Sequence, residues 1–309
     1  MFKKHSIAEL HRLNNDSYRF VDLNLCKKGT GLFDNHLDMV YIITMENSDR
    51  HEKMISELKK NQPFYKIKIL YNKGFKNTNK VLPINDTNYD LIDANRHIFV
   101  DATSNDYENI LIFEDDVRFY ENFTKQDIEN IGKFIKTNNY DLYDIGPCGI
   151  TFCIPYIYDL NHYSIFFKTG SHSVIYNKRF IKKFFDETKL INHIDMYTNH
   201  LKFKKFSYYN PICYQLFPKT ENQKTWLIGC KEILYFTFLS EIVMDIIFYL
   251  ISYFEIDESP KYLPFIYNLN KTLSFTLSIL VIMFIVWLIY KIYNFLRFFY
   301  KYSINGKKD

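Results

Sequence analysis

Residues 109–119, NILIFEDDVRF, set the tightest limit on how this chain can fold. Four large apolar side chains in a row, without polar alternation, fit a strand covered on both faces better than one with a wet side. Strands of that kind belong to sheets flanked by helices, so the run points to an α/β domain. It ends abruptly in Glu114, Asp115 and Asp116. In open α/β sheets the ligand crevice lies beyond the carboxyl ends of the strands, where these three acids would emerge. Adjacent carboxylates repel one another, and raised pKa values or a bound cation relieve the repulsion. A hard divalent ion, Mn²⁺ or Mg²⁺, takes one or two carboxylates and completes its shell with substrate phosphates and water. The stretch is therefore a candidate nucleotide-diphosphate site. A solvated acidic turn is the plainer alternative.

Strands and helices alternate around this run. Residues 38–44 read as a strand, Asn47, Ser48 and Asp49 as helix-capping residues, and Met54, Ile55 and Leu58 as the apolar face of the helix that follows. Residues 65–71 alternate like a second strand, which completes a βαβ opening. Thr44 at the end of the first strand and Arg50 at the start of the helix are placed to meet an anionic nucleotide. A surface pair with Glu46 is the competing role for Arg50. Residues 72–87 read as a loop over the donor site, and Leu91, Ala94, His97, Ile98 and Ala102 as a helix. Thr124 caps another helix, short strands fill 141–176, and a helix covers 179–185. Pro211 interrupts the extended residues 206–217, which places that stretch at a sheet edge. Residues 1–37 carry only a short amphipathic pattern and read as a leader to a domain spanning 38–230.

Composition excludes more than it selects. A formal net charge of +4 without a concentrated basic face gives no case for nucleic-acid binding. Five cysteines, odd in number and irregularly spaced, point to a reducing compartment, and the N-terminus has no secretory pattern.

The blocks in order, namely the first strand with Arg50, Glu114-Asp115-Asp116, residues 170–180 (GSHSVIYNKRF), Ile194-Asp195 and residues 210–215 (NPICYQ), resemble glycosyltransferase family 25 over residues 38–226. That family holds lipooligosaccharide and procollagen galactosyltransferases, with relatives in large DNA viruses. The resemblance implies a GT-A domain, a Rossmann-like sheet that binds a UDP-sugar through Mn²⁺ or Mg²⁺ and inverts the anomeric centre. It makes Asp116, with Asp115, the metal ligands, Glu114 and Asp115 donor contacts, and Asp195 the catalytic base. An N-cap is the plainer role for Asp195. Where the family has a Ser-His pair on the helix before the acidic strand, this chain has Asn95-Arg96, and Arg96 is the candidate to bind a phosphate there. His172, His193 and His200 show no ligand spacing, and His172 within its glycine turn is the one singled out. Thr220–Trp226 is a polar stretch that could fold over the donor.

Residues 272–290 are uncharged and long enough to cross a bilayer. Basic residues follow them, Lys291 to Lys308. Residues 233–254 are also apolar but carry Glu241 and Asp245 on one helix face, as a second span or an interfacial helix. Two spans would keep the domain and the basic tail together in the cytosol, with the acidic connector at 255–258 outside. The expected architecture is thus α/β, a GT-A domain followed by a membrane anchor over 231–309, in a host or virion membrane. The expected activity is hexosyl transfer from UDP-galactose or UDP-glucose to a membrane-associated glycan, lipid or protein. An inactive membrane-tethered scaffold and a nucleotide-diphosphate hydrolase are the rivals.

Overall fold

The computed structural model describes residues 7–217, 237–257, 259 and 261–305. Thr220–Trp226, the first residues of the earlier apolar segment, and Lys307 and Lys308 lie outside these. The strands are β1 (Tyr18–Asn24), β2 (Met39–Met45), β3 (Lys66–Asn72), β4 (Asn109–Glu114), β5 (Val117–Phe119), β6 (Leu142–Asp144), β7 (Cys148–Pro155), β8 (His162–Thr169), β9 (Ser173–Asn177), β10 (Lys205–Tyr208) and β11 (Cys213–Gln215). The helices are α1 (Ile7–Asn14), α2 (His51–Asn61), α3 (Thr87–Ser104), α4 (Lys125–Thr137), α5 (Lys178–Phe185), α6 (Ile194–Thr198), α7 (Thr237–Tyr253) and α8 (Leu263–Asn305).

Nine strands form one mixed sheet in the order β1-β3-β2-β4-β9-β6-β10-β8-β7, and β5 pairs with β11 in a separate ribbon. β4 sits near its middle, and Ile110 to Phe113 are buried as their composition requires. β2 runs parallel to β3 and to β4, so Thr44, Asn72 and Glu114 finish at one edge. β9 runs antiparallel to β4 and starts at that edge, with Ser173 opposite Phe113, and β6 ends there at Asp144. Helices cover both faces. Tyr176 and Ile175 are successive and point to opposite faces. Tyr176 meets Phe99 of α3 and Phe180 of α5, whereas Tyr143, the cross-strand partner of Ile175, meets Phe134 of α4. Thr124 and Asp127 close a reciprocal capping box on α4.

Several expectations change. The sheet starts at Tyr18, ahead of the expected boundary at residue 38, because β1 pairs along the whole length of β3 and supplies the edge. β10 lies inside the sheet, between β6 and β8, since Pro211 falls after the strand and its missing donor interrupts no ladder. The residue preceding α2 is Arg50, without a side-chain cap, and Ser48 is used elsewhere.

α8 holds a stretch, Leu263–Arg297, long and apolar enough to cross a membrane. Its first turns are docked on the domain: Leu263, Tyr267, Ser274 and Ser278 are buried, while the large apolar side chains of 279–290 are exposed. The connector before it is docked as well. Phe217 N donates to Ile256 O at 3.1 Å, and Ile251, Ile256 and Leu263 pack with Tyr214 and Leu216. The connector expected on the far side of a bilayer thus packs on the domain here.

Two interior imidazoles give the fold a pH dependence. His97 stacks with Tyr18 and His162 with Phe134, and burial lowers the pKa of each to about 4. A folded pKa below the unfolded value means that the folded state binds fewer protons in between, so this stability is complete above about pH 6.5 and is lost as pH falls toward about 4. The limit is about 3 kcal/mol per histidine. Buried carboxylates with raised pKa values, such as Asp116, act in the opposite sense over the same range, so the test is a comparison with a single-histidine variant. His162→Gln, which keeps a partner for the Tyr143 hydroxyl, should gain in thermal-unfolding midpoint relative to the solubilised unaltered chain as pH falls from about 7 to about 4.5. A difference between the two midpoints that does not change with pH would show that the His162 ring is already solvated.

Candidate functional site

β4 ends at Glu114, and the bend into β5 sends the next two carboxylates different ways. Asp115 turns to the β2–α2 connection. Its Oδ1 meets Arg50 Nη2 at 2.6 Å, and its Oδ2 accepts from Thr44 Oγ1 at 2.7 Å and Ser48 Oγ at 2.9 Å. Asp116 turns to the ribbon. Its Oδ2 accepts from Gln215 Nε2 at 3.1 Å and its main-chain oxygen from Leu216 N at 3.1 Å. Its Oδ1 is buried and has no hydrogen-bond partner among the described residues. An orphaned carboxylate oxygen is costly, and in native proteins it commonly marks a ligand or ion position.

Asp195 approaches from the opposite face in the first turn of α6, where His193 is the capping residue. Its Oδ1 accepts from Ser171 Oγ at 2.5 Å and its Oδ2 from Gly170 N at 3.1 Å. Gly170 has φ of +80°, a left-handed conformation that glycine adopts without a Cβ penalty, and this turn aims both donors at Asp195.

The electrostatics follow from burial. Glu114 is held well above the carboxylate range, first by desolvation and then by Asp116, Asp195 and Asp115, with Arg50 opposing. Asp116 is raised to about 7 by burial and by Asp115, against Arg50 and Gln215. Arg118 is buried nearby, its pKa lowered by desolvation while Glu57, Asp116 and Asp115 oppose the loss of its charge. Glu114, Asp115 and Asp116 thus share the field of Arg50, and Asp115 and Asp116 that of Arg118 as well. Among the described residues no group of three or more His, Cys, Asp or Glu side chains could by itself hold a metal ion.

The structure brings together Thr44, Arg50, Glu114, Asp115, Asp116 and Asp195. It places Arg96 elsewhere: Nη1 pairs with Asp93 Oδ1 at 2.6 Å on the same helix, and Asp93 also accepts from Asn14 and Tyr18. His172 is buried behind the acids. Its carbonyl accepts from Glu114 N at 2.9 Å, and burial beside Lys168 lowers its imidazole pKa to about 3. Its Nε2 has no partner among the described residues, and Gly146 faces it so closely that a Cβ there would lie 2.9 Å from that nitrogen and 2.5 Å from Cys213 O. His193 is used as a cap, and His200 rests against Tyr197.

Sequence reasoning missed Ser48, Ser171 and the buried pair Lys168–Asp144 at 2.6 Å. Ser48 and Ser171, each in a turn beside a strand, carried a usable signal, because short hydroxyl side chains there often bind nearby groups. A lysine in an alternating strand reads as exposed, so Lys168 carried none.

No family model and no curated protein matches this chain. Among solved structures, A197 from STIV is similar over 59% of this chain and 86% of its own length, with 15% identity and a TM-score of 0.34. Likeness at that level says nothing of shared activity.

The anchoring of Asp115 can be ranked by mutation. Arg50→Met leaves the carboxylate buried against neutral donors only, at a cost of about 3 kcal/mol, the lower end for a broken buried pair because Arg50 is partly exposed. Thr44→Val removes one donor of three and should cost about 1–2 kcal/mol. Denaturant unfolding measures both; equal costs would mean that the guanidinium holds Asp115 no better than a hydroxyl does.

Proposed function

We propose that the chain is a metal-dependent inverting glycosyltransferase with a GT-A domain, similar to glycosyltransferase family 25, moving a hexose from a UDP-sugar to a membrane-associated acceptor. The observation that carries the reading is Asp116 Oδ1, which has no partner among the described residues, on a carboxylate that together with Asp195 and Asp115 surrounds Glu114 at the edge where β2, β3 and β4 end. In open α/β sheets the ligand crevice lies at that edge.

In this reading Asp116 is the carboxylate that would hold Mn²⁺ or Mg²⁺, with the remaining ligands from diphosphate and water, as Mg²⁺-type sites commonly have. When bound, such an ion supplies Lewis acidity to the departing diphosphate. Asp115 has both oxygens engaged, so its part is to fix Arg50 and the Thr44–Ser48 turn at the crevice wall rather than to bind the ion. Glu114 is the contact for a ribose or sugar hydroxyl. Asp195, oriented by Ser171 and Gly170, takes the proton of the acceptor hydroxyl, a step worth ~10²- to 10⁴-fold.

α8 sets where acceptors are found. Tyr267 lies at the level of Gln215, and the helix reaches Ile279 roughly 18 Å further on at 1.5 Å per residue. A glycolipid or membrane glycoprotein presents its sugars within that height. With the connector docked on the domain, α8 crosses once and separates the domain from the basic tail. In sealed vesicles, protease should then digest one of the two and spare the other; simultaneous protection or loss of both would exclude a single crossing.

Isothermal titration of UDP and UDP-sugars into the solubilised chain tests the activity class. Binding should require Mn²⁺, vanish with chelator and vanish in Asp116→Asn, while Asp195→Asn should bind donor normally and lose transfer. No UDP binding in any condition would overturn the reading. The commitment of Arg96 to Asp93 favours one rival, the inactive scaffold, which predicts neither transfer nor donor hydrolysis.

A further inference from the structure

β5 and β11 form a ribbon apart from the nine-stranded sheet, with Gln215 opposite Val117 and Tyr214 opposite Arg118. An isolated pair of strands is marginal in water at best, so a ribbon this short keeps its shape only when its faces are covered. Successive side chains point to opposite faces. On one face Val117, Phe119 and Cys213 join the main core, and Gln215 reaches Asp116. On the other, Tyr214 and Leu216 pack in a second apolar cluster with Ile251, Ile256, Leu263 and Tyr267. The end of α7, the connector and the first turns of α8 therefore back the ribbon.

The polar contacts run the same way. The Tyr267 ring meets Tyr214 edge-on with centroids 4.5 Å apart, and its hydroxyl accepts from Gln215 N at 3.1 Å. Gln215 Nε2 donates to Asp116 Oδ2 at 3.1 Å, and Leu216 N donates to Asp116 O at 3.1 Å. Both of these donors sit on residues that α8 and the connector hold from behind. Asp115 shares none of this, since its carboxylate is held by Arg50, Thr44 and Ser48.

We propose that Tyr267 is a positioning residue for the cation site. By fixing Gln215 it sets the direction of the Asp116 carboxylate, so the first turns of α8 belong to the donor site and not only to the anchor. A carboxylate held through one oxygen presents the other along a defined line, and outer partners of metal ligands tune affinity in that way. A domain ending at residue 230, as the sequence suggested, would lack this support. The inference rests on Asp116 holding the ion, and the test separates the two.

Mn²⁺ alone is titrated into the solubilised full chain, and the free ion is read from its electron paramagnetic resonance signal. The unaltered chain should bind Mn²⁺ saturably. Gln215→Leu should weaken binding about 10- to 100-fold, the usual loss for an outer partner of a metal ligand. Tyr267→Phe keeps the ring on Tyr214 and removes only the acceptor, so it should weaken binding about 3- to 10-fold, the worth of one ordinary hydrogen bond. Lys271→Met, which breaks the next contact of α8, with Tyr209 O, should lower the thermal-unfolding midpoint and leave the Mn²⁺ affinity where it is. If Tyr267→Phe binds like the unaltered chain, or Lys271→Met weakens binding equally, the role of Tyr267 is overturned and the metal site stands. If the unaltered chain takes up no Mn²⁺, the inference and the metal-dependent reading both fall.

Discussion

Everything at the candidate site depends on how the end of a fully buried strand disposes of three negative charges. β4 cannot carry Glu114, Asp115 and Asp116 into the sheet, because an unpaired interior carboxylate costs several kcal/mol. The chain resolves this by giving each acid a different environment. Asp115 is consumed by Arg50, Thr44 and Ser48, which ties the β2–α2 turn to the end of β4. Asp116 is half satisfied by Gln215, and Glu114 is left beside Asp195 with burial pushing its proton affinity up. An arrangement that satisfied all three would be a structural ion-pair network. This one leaves Asp116 Oδ1 without a partner among the described residues.

How much of this was legible in the sequence varies with the physics involved. The apolar run at 110–113 identified the central strand because burial on two faces leaves no other pattern, and the capping residues of α4 were readable because the cap is a local interaction. β1 was missed because Tyr18 to Asn24 alternate polar and apolar at a sheet edge, where one-sided burial weakens the signal. Ser48 was read as a cap because a serine after a strand is equally suited to a helix start and to a distant carboxylate. Its partner, Asp115, is brought to it only by the parallel pairing of β2 with β4.

Arg96 shows the same limit from another side. Its helix was foreseen, but the network that claims it was not. Lys80 is buried against Asp90, Asn72 and Tyr18, and Tyr18 in turn donates to Asp93, the partner of Arg96. This network closes residues 73–86 over the end of β3 and needs β1 in place to supply Tyr18. A chain read without β1 has an unclaimed arginine near a phosphate site. With β1 present, Arg96 becomes part of the wall.

The wall and α8 meet the site through different elements. Asp116 is bonded to Gln215, and the main-chain nitrogen of Gln215 is bonded to the Tyr267 hydroxyl on α8. Only one residue separates the helix from the carboxylate with the open oxygen. Leu216 and Phe217 strengthen the link, since Leu216 N holds the Asp116 carbonyl while Phe217 N holds the connector at Ile256. A shift of α8 along its axis would therefore be transmitted to Asp116 before it reached Asp115, whose partners all belong to the β2–α2 turn. The two neighbouring carboxylates report to two different parts of the molecule, one to the sheet and one to α8.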